Sequence, residues 1–164
     1  MKPHAVPLPA SVQQELPDAD FGDAFAIELP GQLDGTRLDA RQAAVEVFTR
    51  VPAWVDGLLR LRNLIVRPLG LKGTDEVDAG KRDRIGFFPV ISETERRLVL
   101  GFDDRHLDFR VIVDVEPLDA SRQRVVATTL VKRHNCFGRA YLAAIMPFHK
   151  VIVPTMLGRI ARAA

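Results

Sequence analysis

The spacing of apolar and polar residues divides the chain into elements. From Phe21 to Leu29 the apolar residues Phe21, Phe25, Ile27 and Leu29 largely alternate with polar or small ones, the period of a half-buried strand, and Pro30-Gly31 ends it. Before it, four of the eleven prolines fall within the first 17 residues. Their fixed backbone angles and missing donors predict an extended arm over 1–19 with no regular element. Asp39 and Gln42 have the spacing of a capping box, and Ala40, Ala44, Val47, Phe48 and Val51 then recur at helical intervals, predicting a helix over 40–50. Pro52 suits the first turn of a second helix, whose apolar stripe is Trp54, Leu58, Leu61, Ile65 and Leu69. The stretch 70–81, with three glycines and mixed charge, reads as a loop.

From Ile85 the period falls to two. Apolar stretches over 85–91, 97–103, 106–116 and 124–134, parted by short polar breaks, predict an antiparallel meander. In the third, Leu107, Phe109, Val111, Val113 and Val115 fill one face, and His106, Asp108, Arg110, Asp114 and Glu116 fill the other, interrupted by Ile112. A two-residue turn at Asp104-Arg105 would pair Phe102 with Leu107, Leu100 with Phe109 and Leu98 with Val111, keeping the apolar side chains on one side. The last stretch, 138–162, reads as one long helix, apolar nearly all round from Ala140 to Leu157 except for Tyr141, His149, Lys150 and Thr155. A membrane span is disfavoured, because the run is short, His149-Lys150 lie near its centre and Pro147 and Pro154 interrupt it. Burial is the expectation instead. Roughly 25 residues at about 1.5 Å each match the length of an eleven-residue strand at about 3.4 Å per residue, so the helix can lie along the sheet, bent at its prolines.

Composition narrows the class. With 164 residues, 47% apolar and 27% charged, the chain can bury a core without disulfides or metals, and 20–164 reads as a single domain. The net charge is only +2, the 18 arginines are interleaved with acids, and one Trp and one Tyr are available for stacking. Nucleic acid is therefore not an expected partner. The lone Cys136 cannot form an internal disulfide, and the first residues lack the apolar core of a secretion signal. Both point to the cytoplasm.

Candidate chemistry is sparse. His106, Asp108 and Arg110 could meet a ligand together, but a solvent face of cross-strand charge pairs is the favoured reading. No spacing of His, Cys, Asp or Glu suggests a metal site, and none suggests a bound cofactor. Cys136 near His134 lacks the local pattern of a nucleophile, and Asn135 reads as a helix cap. Tyr141 and His149 stand out, because a buried helix must give polar side chains either partners in the sheet or a cavity to point into. Arg139 lies close to Tyr141 in sequence. The aromatic residues are core by default, with Trp54 and Phe109 as candidate pocket lining.

The order of strand, two helices, meander and long terminal helix resembles the helix-grip fold of the START-like and polyketide cyclase (SRPBCC) superfamily, an α+β class with a curved antiparallel sheet. Within it the chain resembles a bacterial domain-of-unknown-function family, number 2867. The resemblance is carried by Asp20-Phe21-Gly22-Asp23-Ala24-Phe25, Leu61-Arg62-Asn63 with Gly70-Leu71-Lys72, His106-Leu107-Asp108-Phe109-Arg110, and Gly138-Arg139-Ala140-Tyr141-Leu142 with Pro147-Phe148-His149. Relatives in the superfamily hold apolar molecules between sheet and helix. The resemblance therefore implies a hydrophobic small-molecule ligand, and the residues singled out above, Tyr141, His149, Arg139, Phe109 and Trp54, are its expected contacts. A polyketide cyclase-like or other acid–base enzyme of the same fold, using His149 and Tyr141, is one alternative, and a protein-interaction domain partnering a separate reductase is the other. Some members follow a nicotinamide-type reductase domain on one chain. Here no G-x-G-x-x-G follows a strand, so a reductase would be a separate partner; a homo-oligomer is the other assembly expected.

Overall fold

A computed structural model describes residues 1–30, 37–49, 53, 57, 83–86 and 88–163. The second predicted helix, the loop over 70–81 and Trp54 lie outside the described residues.

Seven antiparallel strands form one curved sheet in the order β1-β2-β7-β6-β5-β4-β3. They are β1 (His4–Val6), β2 (Phe21–Pro30), β3 (Arg84–Ile85), β4 (Phe88–Glu93), β5 (Arg97–Asp103), β6 (Leu107–Pro117) and β7 (Arg122–Arg133). The last strand in sequence sits between the first long strand and the rest of the meander, paired with β2 and β6. Its run of valines and threonines is buried on both faces, as a central strand requires. The β6–β7 turn is closed by Asp119, which accepts from the Ser121 N–H, the Ser121 hydroxyl and Arg122 Nε. The backbone bond from Ser121, with the pairing to Arg122, pulls the Asp119 carboxyl down to about 2.

Helix α1 (Ala40–Phe48) begins where the capping box places it, with Asp39 accepting from the Gln42 N–H and Gln42 reaching back to the Asp39 N–H. A long helix α2 (Cys136–Leu157) and a short α3 (Ile160–Ala163) end the chain. The main core fills the face shared by Ile27 and Leu29 of β2, Leu98 and Leu100 of β5, Val111, Val113 and Val115 of β6, and Val125 and Ala127 of β7. On that face α1 lies over β5 and β6, and α2 over β2 and β7.

Four expectations need correction. The first 19 residues are not a featureless arm. Residues His4–Val6 pair with Ala24–Ala26 at the sheet edge, which Pro3 and Pro7 permit because they flank the paired residues. A 3₁₀ turn over Ala10–Glu15 follows, and it lays Val12, with Leu16, on Val99, Ile112 and Leu130 of the second sheet face. Arg97 holds this turn in place, bonding Asp114 through Nε and Nη2 at 2.6 and 3.0 Å and the Ser11 carbonyl and hydroxyl at 3.1 and 2.9 Å. Next, the stretch 85–91 is not one strand. It folds at Gly86 (φ +58) into the β3–β4 hairpin, pairing Ile85 with Phe88. A Cβ on Gly86 would stand 2.6 Å from the Phe48 carbonyl oxygen, so glycine meets both demands.

The β5–β6 register is also two residues away from the expected one, with Phe102 opposite Phe109, Leu100 opposite Val111 and Leu98 opposite Val113. The Asp104 N–H donates to the Leu107 carbonyl, so the turn falls on Arg105-His106, one residue later than Asp104-Arg105, a pair poorly suited to a two-residue hairpin turn. A shift of two preserves parity, and every side chain keeps its face. Finally, α2 is not buried all round. A sheet covers one side of a helix, and the other stays in solvent, with Phe148 49% and Val151 56% exposed.

Candidate functional site

Helix α2 is fastened at both ends. At its start Asn135 accepts from the Gly138 N–H at 3.0 Å, supplying a partner for a donor the helix cannot satisfy itself. Its side-chain nitrogen lies 3.0 Å from His106 Nδ1, and the Phe137 ring packs on the His106 ring at 4.8 Å. Gly138 approaches so closely that a Cβ there would be 2.3 Å from the His106 carbonyl oxygen; only glycine lets the helix begin against this loop. At the far end Met156 and Leu157, with Ile160 of α3, are buried in the main core.

Between these ends the inward stripe is only half-buried, at Tyr141, Leu142, Ile145, Met146, His149 and Val153. The strand pairing places two rows across the sheet on the same face. One is Phe21, Val131, Phe109 and Phe102, and the next is Asp23, Thr129, Val111 and Leu100. Phe21, Asp23, Phe109 and Phe102 are half-buried as well. An aromatic file continues from them, Phe102 to Phe109 at 5.8 Å, Phe109 to Phe88 at 5.6 Å and Phe88 to Phe48 of α1 at 5.5 Å.

The polar feature of this face is a carboxylate–imidazole pair. His149 Nε2 lies 3.0 and 2.9 Å from the two carboxylate oxygens of Asp23, and the side chains are 14% and 21% exposed. The Phe21 ring stands edge-on to the imidazole at 6.3 Å. Carboxylate oxygens only accept, so the hydrogen-bond network puts a proton on Nε2. Nδ1 is then the nitrogen left for another partner. A carboxylate that orients an imidazole in this way is the arrangement a general base or a ligand anchor uses.

Of the residues singled out from the sequence, His149 and Tyr141 share the inward side of α2, and Phe109 lies on the sheet face that the helix partly covers. Arg139 does not join them; it is exposed on the outer side. Asp108 and Arg110 occupy strand positions of the opposite parity, His106 lies in the turn just before β6, and all three are engaged elsewhere. Asp108 meets His134 at 3.0 Å, and Arg110 meets Asp103 at 2.7 Å and the carbonyls of Phe102 and Phe109. Cys136 is exposed. Among the described residues no three of His, Cys, Asp and Glu cluster as metal ligands.

Asp23 is the site residue that sequence reasoning missed. Its signal was present: an acid between Phe21 and Phe25 on the inward parity of a strand whose other inward residues are apolar. A separate concavity of about 320 Å³ lies by the N-terminal segment, lined by Leu8, Gln13, Leu16, Asp18 and Asp20 among others. Its acids already face Lys132 at 3.6 Å and Arg133 at 2.9 Å.

Comparison with the curated proteins and with the solved structures finds no match. The family described as "Protein of unknown function (DUF2867)" matches residues 15–156, a span that takes in Asp23, the meander, Tyr141 and His149. The chain belongs to that family.

Proposed function

We propose that this chain holds a small, predominantly apolar molecule between α2 and the sheet, with the His149–Asp23 pair as the polar anchor, and that its elements follow the helix-grip arrangement. The observation that carries this reading is the uneven burial of α2. A helix packed tightly on a sheet buries its whole inner stripe, whereas this stripe is closed at Gly138 and at Met156–Leu157 and half-exposed between them, above half-exposed phenylalanines. Apolar walls with one oriented polar group are the usual composition of a small-molecule site.

Native mass spectrometry of the purified chain tests it, with Ile145→Trp as the companion. A retained mass that Ile145→Trp removes, at unchanged stability, supports a gap that the larger ring fills in the ligand's place. If the space is already filled by protein, Ile145→Trp destabilises the fold by about 1–3 kcal/mol through overpacking, and the reading fails.

A second reading, an acid–base enzyme acting on a carbonyl compound in the same gap, is favoured by one observation: Asp23 holds Nε2, so Nδ1 is the basic nitrogen. Loss of His149 would then lower turnover by about 10²-fold while binding persists.

A further inference from the structure

The outer side of α2 carries a second feature, which does not depend on what lies beneath the helix. Ala140, Ala144, Pro147, Phe148 and Val151 form an exposed stripe along the side turned away from the sheet, and Phe148 and Val151 are among the most exposed large apolar side chains of the described residues. An apolar patch kept in water is costly unless something covers it.

Charge indicates what covers it. After Asp119 the chain contains no Asp or Glu and eight Lys or Arg. The four of these on β7 each face an acid: Arg122 meets Asp119 and Glu28, Arg124 meets Glu116, Lys132 meets Asp18 and Arg133 meets Asp20. Arg139, Lys150 and Arg159, which lie on or just beyond α2, have no acidic partner among the described residues. Arg139 and Lys150 border the apolar stripe on one side at helical spacing.

We propose that α2 docks this outer side onto an anionic phospholipid surface, lying in the plane of the interface with the stripe among the acyl chains and Arg139 and Lys150 at the headgroups. The helix is long and apolar enough to span a bilayer, but its ties to the sheet at Gly138, His149 and Met156–Leu157 hold it against the domain. Surface docking uses the same apolarity without breaking them. A two-fold contact with a second copy fits less well, because it would bring the same uncompensated cations face to face.

Flotation of the full chain with phosphatidylcholine vesicles, with and without phosphatidylglycerol, tests this. The expected result is binding to the mixed vesicles, weakened by added salt, and little binding to phosphatidylcholine alone. Phe148→Asp with Val151→Asp should weaken binding about tenfold or more with at most a small fall in melting temperature, since about half of each side chain is already in water. Arg139→Glu with Lys150→Glu, which leaves the stripe intact, should weaken it comparably. Failure to bind the mixed vesicles, or binding that neither pair of substitutions reduces, overturns the proposal. So does a dimer in light scattering that Phe148→Asp dissociates, which would assign the stripe to a second copy of the chain.

Discussion

His149 and Asp23 stand 126 positions apart in the chain, and each has an innocuous local context. What gives the pair its weight is that, among the described residues, neither side chain has another charged partner in the half-buried space where they meet. Replacing His149 by Phe keeps the ring shape but leaves the Asp23 carboxylate unpaired, and such a loss costs about 1–3 kcal/mol. We expect His149→Phe to lower denaturant stability by that amount and the double variant with Asp23→Leu to recover most of it. A double variant no better than the single one would show that the bond contributes nothing to the fold. The sequence singled out His149 because a polar residue in an apolar helix needs a partner. It did not identify the partner, because reach across 126 residues is decided by how β2 and α2 are stacked.

At the level of elements, local rules worked where the physics is local. The capping box at Asp39 and Gln42, the start of α1, the strand over 21–29 and the two faces of β6 follow from residue spacing, because hydrogen bonds within one turn and the two-residue period of a strand need no distant information. The N-terminal segment shows the opposite case. Its prolines argue against an element, yet Val12 is fully buried on a sheet face that carries charges as well as Ile112 and Val99. The arrangement of Ser11 and Glu15 beside Arg97, together with the apolar patch under Val12 and Leu16, explains why this segment lies down. Deleting residues 1–19 should therefore expose Val99, Ile112 and Leu130 and remove the burial of Val12 and Leu16, worth about 1.5–3 kcal/mol each. The expected outcome is a much lower urea midpoint or aggregation; a truncated chain as stable as the whole would show the segment to be dispensable.

For the whole molecule, β7 is the strand on which the others depend, bonded on both edges and buried on both faces. Its central amides should be the slowest to exchange with deuterium and those of β1 and β3 the fastest, since exchange follows the cost of local opening. Equal protection across the sheet would contradict that order. By itself the sequence determined the types of the main elements, the α+β class, which residues of the long strands face the core and which family the chain resembles, because propensity, capping and periodicity are written in neighbouring residues. The tertiary structure alone decided the β5–β6 register, the seating of the N-terminal turn, the pairing of His149 with Asp23 and the exposure of the outer side of α2. Each of these depends on which surfaces meet once strands distant in sequence have joined, and on a sheet being able to cover only one side of a helix laid upon it.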